Sequence, residues 1–411
     1  MVDPITIVGG IGGDMPHSLR AVLDVSVVMP CLNEEETIGP CIEKAREGFR
    51  RLGLRGEIIV CDNGSSDRSV EIATSLGAIV VHERRKGYGS AYMHGIAEAR
   101  AEYIIMGDSD DTYNFADLEP FLAPLREGYD LVMGSRFSGT ILPGAMTFSH
   151  RYIGNPALSG ILKLFYRVDI SDAHCGMRSF TKDAYTRMRL QTTGMEFASE
   201  MVINAGRERL KIAEVPITYY PRKGESKLET WRDGWRHLRF MLLYSPTHLF
   251  LLPGLLLLLP GLLLLLAELP GPIQVGGRNF YIHFMILGSM LTILGYQVLT
   301  LGLYAKSYAL SIGVLRADRT LAAIAPHYTL ERGLRAGGLL FAIGFGIDGY
   351  ILLKWLGSSF GSLDAIRPAL FASTLIVVGA QTIFSSFFLS LLAIRPGIRL
   401  GDTLPEAESR P

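Results

Sequence analysis

The chain has 411 residues, more than one average domain needs, and its 40 Lys and Arg are balanced by 40 Asp and Glu. That balance argues against a nucleic-acid binder, whose field is usually strongly positive. The average hides a split: the first half alternates charged and apolar residues as a water-exposed domain does, whereas the second carries long apolar stretches such as Leu249 to Leu266, so a soluble domain joined to a membrane domain is expected.

Residues 1–23 are Gly-rich without a continuous apolar core, which reads as a flexible lead-in rather than a signal peptide. From Asp24 the pattern alternates. Val25 to Pro30 reads as a buried strand, Glu35 to Leu52 as a helix, Glu57 to Asp62 as a second strand and Asp67 to Leu76 as a second helix. Ala78 to His82 is a third strand, Gly89 to Arg100 a third helix, Tyr103 to Met106 a fourth strand and Asp130 to Met133 a fifth. Such alternation implies an α/β fold over residues 24–227, with a mixed, mainly parallel sheet and helices on both faces. Ligands of such sheets bind at the carboxyl ends of the strands. Cys31, Cys41, Cys61 and Cys175 all fall in this half without metal-like spacing and read as free thiols in a reducing compartment.

Residues 228–246 differ. Leu228, Trp231, Trp235, Leu238 and Leu242 recur at helical spacing, with Arg232, Arg236, His237 and Arg239 between them. A basic amphipathic helix of this kind suits a membrane interface, and the same pattern also fits a helix packed on the soluble domain. Within residues 247–394, four segments reach the roughly 20 apolar residues of a spanning helix. They are Thr247 to Ala267, Tyr281 to Ala305, Gly333 to Leu356 and Ala369 to Ile394. Lys306, Arg316, Arg319, Arg332 and Arg335 fall between the second and third, and Arg395 and Arg399 in the tail 395–411. The loops after the first and third hold Arg278 and Arg367, with Lys354 near the end of the third helix. Positive-inside counting places the soluble domain, the middle loop and the tail in the cytosol of an integral, multi-pass membrane protein. Asp348, inside the third span, is a functional candidate by default.

Polar residues gather where strands end: Asn33 and Glu34 after the first, Asp62 after the second, Asp108 and Asp110 after the fourth. In Asp108-Ser109-Asp110, strand alternation would put both carboxylates on one side of the backbone. Two close carboxylates repel unless a cation lies between them, and Mg²⁺ or Mn²⁺ takes carboxylate and phosphate oxygens together. Asp111 adds a third acid, whose plain reading is a solvated group. Each motif also has a bland reading. Asp-x-Asp occurs in surface loops, Asp62 to Asp67 fits an Asx turn and helix cap, and Asn33 to Glu36 fits acids at a helix N-terminus. Three separate polar loops on one sheet edge favour a nucleotide-diphosphate site over three coincidences.

Val27 to Glu35 resembles the opening of family 2 glycosyltransferases, and Asp62 to Asp67 their second motif. Arg85 to Ala91, Gly134-Ser135-Arg136, Asp172 to Arg178 and Arg222 to Leu228 complete a set similar to the polyprenyl-phosphate branch, the dolichol-phosphate mannose and glucose synthases. The resemblance implies a GT-A, Rossmann-like domain. It also implies metal-dependent, inverting transfer of a hexose, glucose or mannose, from a UDP- or GDP-sugar to a polyprenyl phosphate at a bacterial or archaeal cell membrane. On the same resemblance, Pro30, Asn33, Glu34, Asp62, Lys86 and Asp108 bind the nucleotide-sugar, and Asp108 and Asp110 hold Mg²⁺ or Mn²⁺. Asp110 and Arg136 are catalytic, and Arg136, Arg151 and Lys227 receive the acceptor phosphate. A guanidinium matches phosphate better than an ammonium does, which favours Arg136 and Arg151. Arg222, Lys223 and Lys227 have a second reading, as a cluster attracting anionic lipid headgroups. Many relatives carry Gln where Thr112 stands, so the chain departs from the usual metal shell there. His174 reads as a structural or substrate-orienting residue rather than a base. A homo-oligomer is compatible with the pattern. Two rival functions stand beside this one. A processive polysaccharide synthase usually shows a Gln-x-x-Arg-Trp segment, which this sequence lacks. A lipid-linked sugar flippase with an accessory transferase domain is opposed by the intact Asp62, Asp108, Asp110 and Arg136.

Overall fold

The computed structural model describes residues 23–166, 168–223, 230–311 and 329–393. The chain divides into two compact units, Met1–Met241 and Leu242–Pro411.

The first unit begins as its apolar runs predict: β1 (Val25–Cys31), α1 (Ile38–Leu52), β2 (Gly56–Asp62), α2 (Ser69–Ser75), β3 (Ile79–His82), α3 (Tyr88–Glu98) and β4 (Tyr103–Met106). β1 and β2 are buried along almost their whole length. A parallel strand covered by helices on both faces hides both its sides, so it needs a continuous apolar run rather than alternation. α1 starts later than the sequence suggests. Asn33 adopts a left-handed φ of 53°, and the Glu34 carbonyl accepts the N–H groups of Thr37 and Ile38. Glu34 to Glu36 therefore precede the helix, whose first turn holds no acid.

The chain continues through α4 (Glu119–Arg126), β5 (Leu131–Ile141), α5 (Asn155–Tyr166), β6 (Arg178–Thr181), α6 (Lys182–Met188), α7 (Phe197–Arg207) and β7 (Ile212–Tyr219). The strand order is β3-β2-β1-β4-β6-β5-β7. β1 pairs in parallel with β2 and β4, and β2 with β3. β6 inserts antiparallel between β4 and β5, and β7 closes the sheet parallel to β5. The expected mixed, mainly parallel sheet is present, with an antiparallel strand in its middle. The strand order reverses between β1 and β4, which opens a crevice beyond their carboxyl ends. At the opposite edge, Glu57 accepts from Ser26 Oγ (2.7 Å) and from Arg100 N–H and Nε (both 2.7 Å), tying β1, β2 and the end of α3 together.

Two surfaces of this unit are apolar. Phe148, Tyr152 and Ile153 in and just before the π-helical turn His150–Gly154, and Leu164 on α5, face outward, with Phe148 and Leu164 73% and 71% exposed. The following helix, α8 (Thr230–Leu243), buries His237, Phe240 and Met241 while Trp235 stays 60% exposed. One face of α8 is thus a packing face. The side chains of Trp231 and Arg232 lie outside the described residues.

In the second unit a π-helical turn, Thr247–Leu251, runs into α9 (Leu252–Ala267); a small hairpin, β8 (Ile273–Val275) and β9 (Arg278–Phe280), leads to α10 (Ile282–Ser311). α11 (Leu330–Gly357) and α12 (Ile366–Ala393) follow. Four helices are long and apolar enough to cross a membrane, at Thr247–Ala267, Ile282–Ser311, Leu330–Gly357 and Ile366–Leu392. Their contacts use small residues, as helix pairing in lipid requires. Gly288, Gly295 and Gly302, seven residues apart, press against the backbone or side chains of α9 and the turn before it. Gly337 meets Gly379, and Gly344 meets Ala372. Hydroxyl pairs cross between α10 and α12: Ser289 with Thr374 (2.7 Å), Tyr296 with Thr382 (2.6 Å) and Tyr304 with Ser385 (2.6 Å). Asp348 is half-buried on α11.

Candidate active site

The loops leaving β1, β2 and β4 are knitted together. Asn33 N–H donates to Ser65 Oγ (3.0 Å), Ser66 N–H to Asn33 Oδ1 (2.8 Å) and Glu34 N–H to Ser69 Oγ (2.8 Å). Ser109 Oγ donates to the Pro30 carbonyl at 2.6 Å, fastening the acidic loop to the end of β1. Asp62 forms an Asx turn, its carboxylate accepting Gly64 N–H (3.1 Å) and Ser65 N–H (2.9 Å) beside His82 Nδ1 (3.1 Å). Burial pushes the Asp62 acid up, but those hydrogen bonds outweigh it and leave the acid below its ordinary value. Lys86 Nζ donates to the Asn63 carbonyl (2.7 Å), while the Asn63 amide spans to the Glu83 and Arg85 carbonyls and accepts Gly87 N–H (2.8 Å). Gly87 has φ 138°, and a Cβ there would strike the Thr193 carbonyl, so only glycine fits. The turn reading of Asp62 holds, and the turn lies on the same edge as the acidic loop.

β4 ends at Met106, so Asp108 and Asp110 stand on a loop and strand alternation does not govern them. Their placement comes from side-chain partners instead. Asp108 Oδ1 accepts the hydroxyls of Tyr88 (3.0 Å) and Tyr92 (3.2 Å). Gly176 backs onto its other oxygen, where a Cβ would collide. Asp110 Oδ1 accepts Thr112 N–H (3.2 Å) and Thr112 Oγ1 (2.6 Å), and Oδ2 faces Arg222 Nη1 at 3.4 Å. Arg222 Nη2 also donates to Glu34 Oε1 at 3.2 Å. Asp111 is not a solvated acid: it is buried and pairs with Lys44 and with Lys223 (2.7 Å). Arg222 and Lys223 thus serve the acidic loop, and the headgroup reading is not needed to explain them.

Burial, reinforced by the charge of Asp110, pushes the Asp108 acid up to about 6, against the opposing hydrogen bonds from Tyr88 and Tyr92. The stability consequence has a definite sign. Between the ordinary carboxyl value of 3.8 and about 6 the folded chain keeps a proton that the unfolded chain has lost. Stability therefore falls as pH rises through that window, and the cost is fully present above it. Asp108→Asn is expected to raise the melting temperature in EDTA at pH 7.5, with the gain shrinking toward pH 4. An equal offset at both pH values would refute this account.

The donor set suits a hard divalent cation. Asp108 and Asp110 are two carboxylates whose mutual repulsion a cation would relieve, and Tyr88, Tyr92 and Thr112 hold their remaining lone pairs. Among the described residues no group of three or more His, Cys, Asp or Glu is arranged to hold a metal. Mg²⁺ accepts such a minimal protein shell, taking its other ligands from substrate phosphates and water.

Residues 26–189 match the profile of glycosyl transferase family 2, and residues 303–393 that of the family 2 C-terminal transmembrane region. The low-salt glycan biosynthesis hexosyltransferase Agl6 of Haloferax volcanii is 42% identical over 371 residues, 90% of this chain and 89% of that one. The chain is a family 2 glycosyltransferase. A dolichyl-phosphate hexose transferase of the same organism is 33% identical over 216 residues, 51% of this chain and 89% of its own. A crystal structure of glucosyl-3-phosphoglycerate synthase from Mycobacterium tuberculosis, in complex with Mn²⁺, UDP and glucosyl-3-phosphoglycerate, is 22% identical with a TM-score of 0.44, covering 54% of this chain and 79% of its own. The transmembrane family region and the four apolar helices make this glycosyltransferase a membrane protein.

Of the residues that the resemblance assigns to the acceptor side of this glycosyltransferase, Arg136 and Arg151 are described, and no contact joins them. Arg136 is buried and forked onto Asp172, Nε to Oδ2 at 2.6 Å and Nη2 to Oδ1 at 2.7 Å, with the Tyr219 ring 5.2 Å from its guanidinium carbon. A carboxylate already fills the phosphate-matching edge of this guanidinium. Arg151 is exposed on the turn before α5, over Tyr152. Lys227 lies outside the described residues. His174 approaches Ser199 Oγ (3.3 Å), which in turn contacts His237 Nδ1 (2.9 Å). Burial, then His237, Arg136 and Arg178, depress its pKa well below the ordinary histidine value, so it is neutral at pH 7. Arg178 is fully buried and donates to the carbonyls of Cys175, Ala198 and Ala173, which fixes the loop carrying Asp172 and Gly176. Tyr88, Tyr92, Asp172 and Arg178 escaped assignment from sequence, although all lie in or beside the motif segments, and Arg222 reads there only as a headgroup contact.

Proposed function

We propose that this chain transfers a hexose from a nucleotide-sugar to a polyprenyl phosphate at the cytosolic membrane face, with inversion at the anomeric carbon. The observation that carries the reading is the meeting of three polar loops beyond the carboxyl ends of β1, β2 and β4. There Asp108 and Asp110 meet the loops of Asn33 and Asp62, in a chain whose other half is built to span a membrane. The relatives' names, a hexosyltransferase and a dolichyl-phosphate hexose transferase, support the hexose and the lipid acceptor.

Pro30, Asn33, Glu34 and Asp62 form the nucleoside seat, with Lys86 bracing its floor. Asp110, one oxygen fixed by Thr112, and Asp108 are the residues that would hold Mg²⁺ or Mn²⁺. When bound, that cation neutralises the diphosphate and eases its departure. A lipid monophosphate has a second pKa of about 6 and is largely a dianion near neutrality. Its oxygen can attack the anomeric carbon without a strong base, as the bond to the departing diphosphate breaks on the opposite face. An α-linked donor then gives a β-linked product. The protein's work is positioning and leaving-group stabilisation. The outward Phe148, Tyr152 and Ile153 around Arg151 suit an isoprenoid whose phosphate meets a guanidinium. Arg136 and Lys227 complete the proposed acceptor set.

The test is a screen of radiolabelled UDP-glucose, GDP-mannose and UDP-N-acetylhexosamines with polyprenyl phosphate, read in the organic phase. Release of nucleotide with no labelled lipid from any donor would sink the reading. Arg151→Ala is expected to raise the acceptor KM about tenfold, the value of one charge-assisted contact, and to leave donor KM unchanged. A defect confined to the donor would remove Arg151 from the acceptor site.

A further inference from the structure

Resting on that reading of Asp108 and Asp110, we infer that Arg222 is a built-in counter-ion. It pairs with Asp110 when no cation is bound and is released to the donor diphosphate when the cation arrives. The case starts from the oxygens of Asp110. Oδ1 is committed to Thr112, through both N–H and Oγ1. Oδ2 is left, and its partner is Arg222 Nη1 at 3.4 Å. A cation on Asp110 must take Oδ2 and therefore competes with Arg222 directly.

The charges around the loop lead the same way. Glu34, Asp108, Asp110 and Asp111 face Lys44, Arg222 and Lys223. Both lysines are spent on Asp111. Arg222 bridges Asp110 and Glu34 and is their neutraliser among the ion pairs of the described residues. A guanidinium can stand where a divalent ion will stand, but it brings no empty orbital and one positive charge, so it is a stabiliser of the empty site rather than a substitute in the reaction.

The segment that delivers Arg222 is strapped to the acidic loop on either side of it. Tyr220 N–H donates to the Thr112 carbonyl at 3.1 Å, and Lys223 Nζ reaches Asp111. The arginine's backbone therefore stays beside the site when its head leaves Asp110. Its Nε is already buried without a hydrogen-bond partner among the described residues. An unpaired buried donor costs stability in the state that leaves it unpaired, and a state that gives it an acceptor recovers that cost. The diphosphate that accompanies the cation supplies the acceptor oxygens, and Arg222 then meets them with its whole donor edge.

The experiment is Mn²⁺ titration of the detergent-purified full chain without donor, following the free-ion signal by electron paramagnetic resonance. Arg222→Gln is expected to bind Mn²⁺ about tenfold more tightly than the natural chain, the effect of removing one positive charge at close range. At saturating Mn²⁺ it is expected to bind UDP or GDP about tenfold more weakly. Opposite signs in the two measurements are the signature. Lys223→Gln removes the neighbouring charge without touching Asp110. If it tightens Mn²⁺ as much as Arg222→Gln does, the effect is one of general field and the inference is overturned. Arg222→Lys, which keeps the charge and loses the fork, is expected to fall between the natural chain and Arg222→Gln. It serves as the deciding variant if Arg222→Gln melts early. Mn²⁺ binding by none of these proteins would overturn the metal reading and this inference together. Binding by the natural chain with no tightening in either Arg222 variant would overturn the inference alone.

Discussion

Asp110→Ala is expected to abolish sugar transfer, to below about one-thousandth of the natural rate, while the protein still folds and inserts. Asp110 sits on a loop, and its hydrogen bonds are with Thr112, two residues away. Its removal frees a local turn rather than the sheet. The catalytic loss is large because stabilising charge on a departing diphosphate is the main service such a site supplies, and one such contributor is worth about 10²–10³ in rate. A carboxylate that also anchors the cation removes more than its own contact. Asp110→Asn separates the two roles. The amide oxygen still accepts from Thr112, so the turn survives, and the charge is gone. Product in the organic phase, with size-exclusion and circular dichroism as folding controls, gives the answer. An Asn variant that keeps more than about a tenth of the activity would show that the charge of Asp110 is not what the reaction uses.

Much of the nucleotide half was legible in the sequence because its signals are local. β1, β2 and β4 are apolar runs bounded by polar turns, and the turns carry the acids that face the crevice. The rest depends on contacts that no local pattern encodes. β6 reads Arg-Ser-Phe-Thr, with a fully buried arginine, and offers neither an apolar run nor alternation. It becomes a strand through its antiparallel pairing with β4 on one side and β5 on the other. β5 runs far beyond the three apolar residues that announce it, since its second half is held by pairing with β7 rather than by burial. The acidic loop repeats the lesson. Asp108 and Asp110 were visible as a pair, but what orients them comes from α3, from the loop at Gly176 and from Arg222, which lies 188 residues from its other partner, Glu34. The membrane half was legible by length and composition, whereas its seven-residue glycine spacing on α10 takes meaning only once α9 lies against it.

Removing either half of the Arg136–Asp172 pair is expected to cost about 3–5 kcal/mol of stability, the penalty for stranding one buried charge without its partner. The pair is fully enclosed on the Asp172 side, and the carboxylate takes three donors from Arg136: the backbone N–H at 3.1 Å and two guanidinium nitrogens. Asp172 also accepts His174 N–H at 3.4 Å, so it organises the loop that ends in Gly176 against Asp108. Asp172→Ala and Arg136→Ala should therefore lower the melting temperature together, by roughly 10 °C for a unit of this size. The double variant Arg136→Met with Asp172→Leu should recover part of the loss, because two well-packed apolar groups leave no charge uncompensated. The same set weighs the acceptor role of Arg136. A guanidinium that serves the lipid phosphate should give Arg136→Lys a raised acceptor KM beyond what its stability loss explains. If Arg136→Ala instead melts like the natural chain and only the acceptor KM moves, Asp172 is a weak partner and the phosphate is the one this arginine was placed to meet.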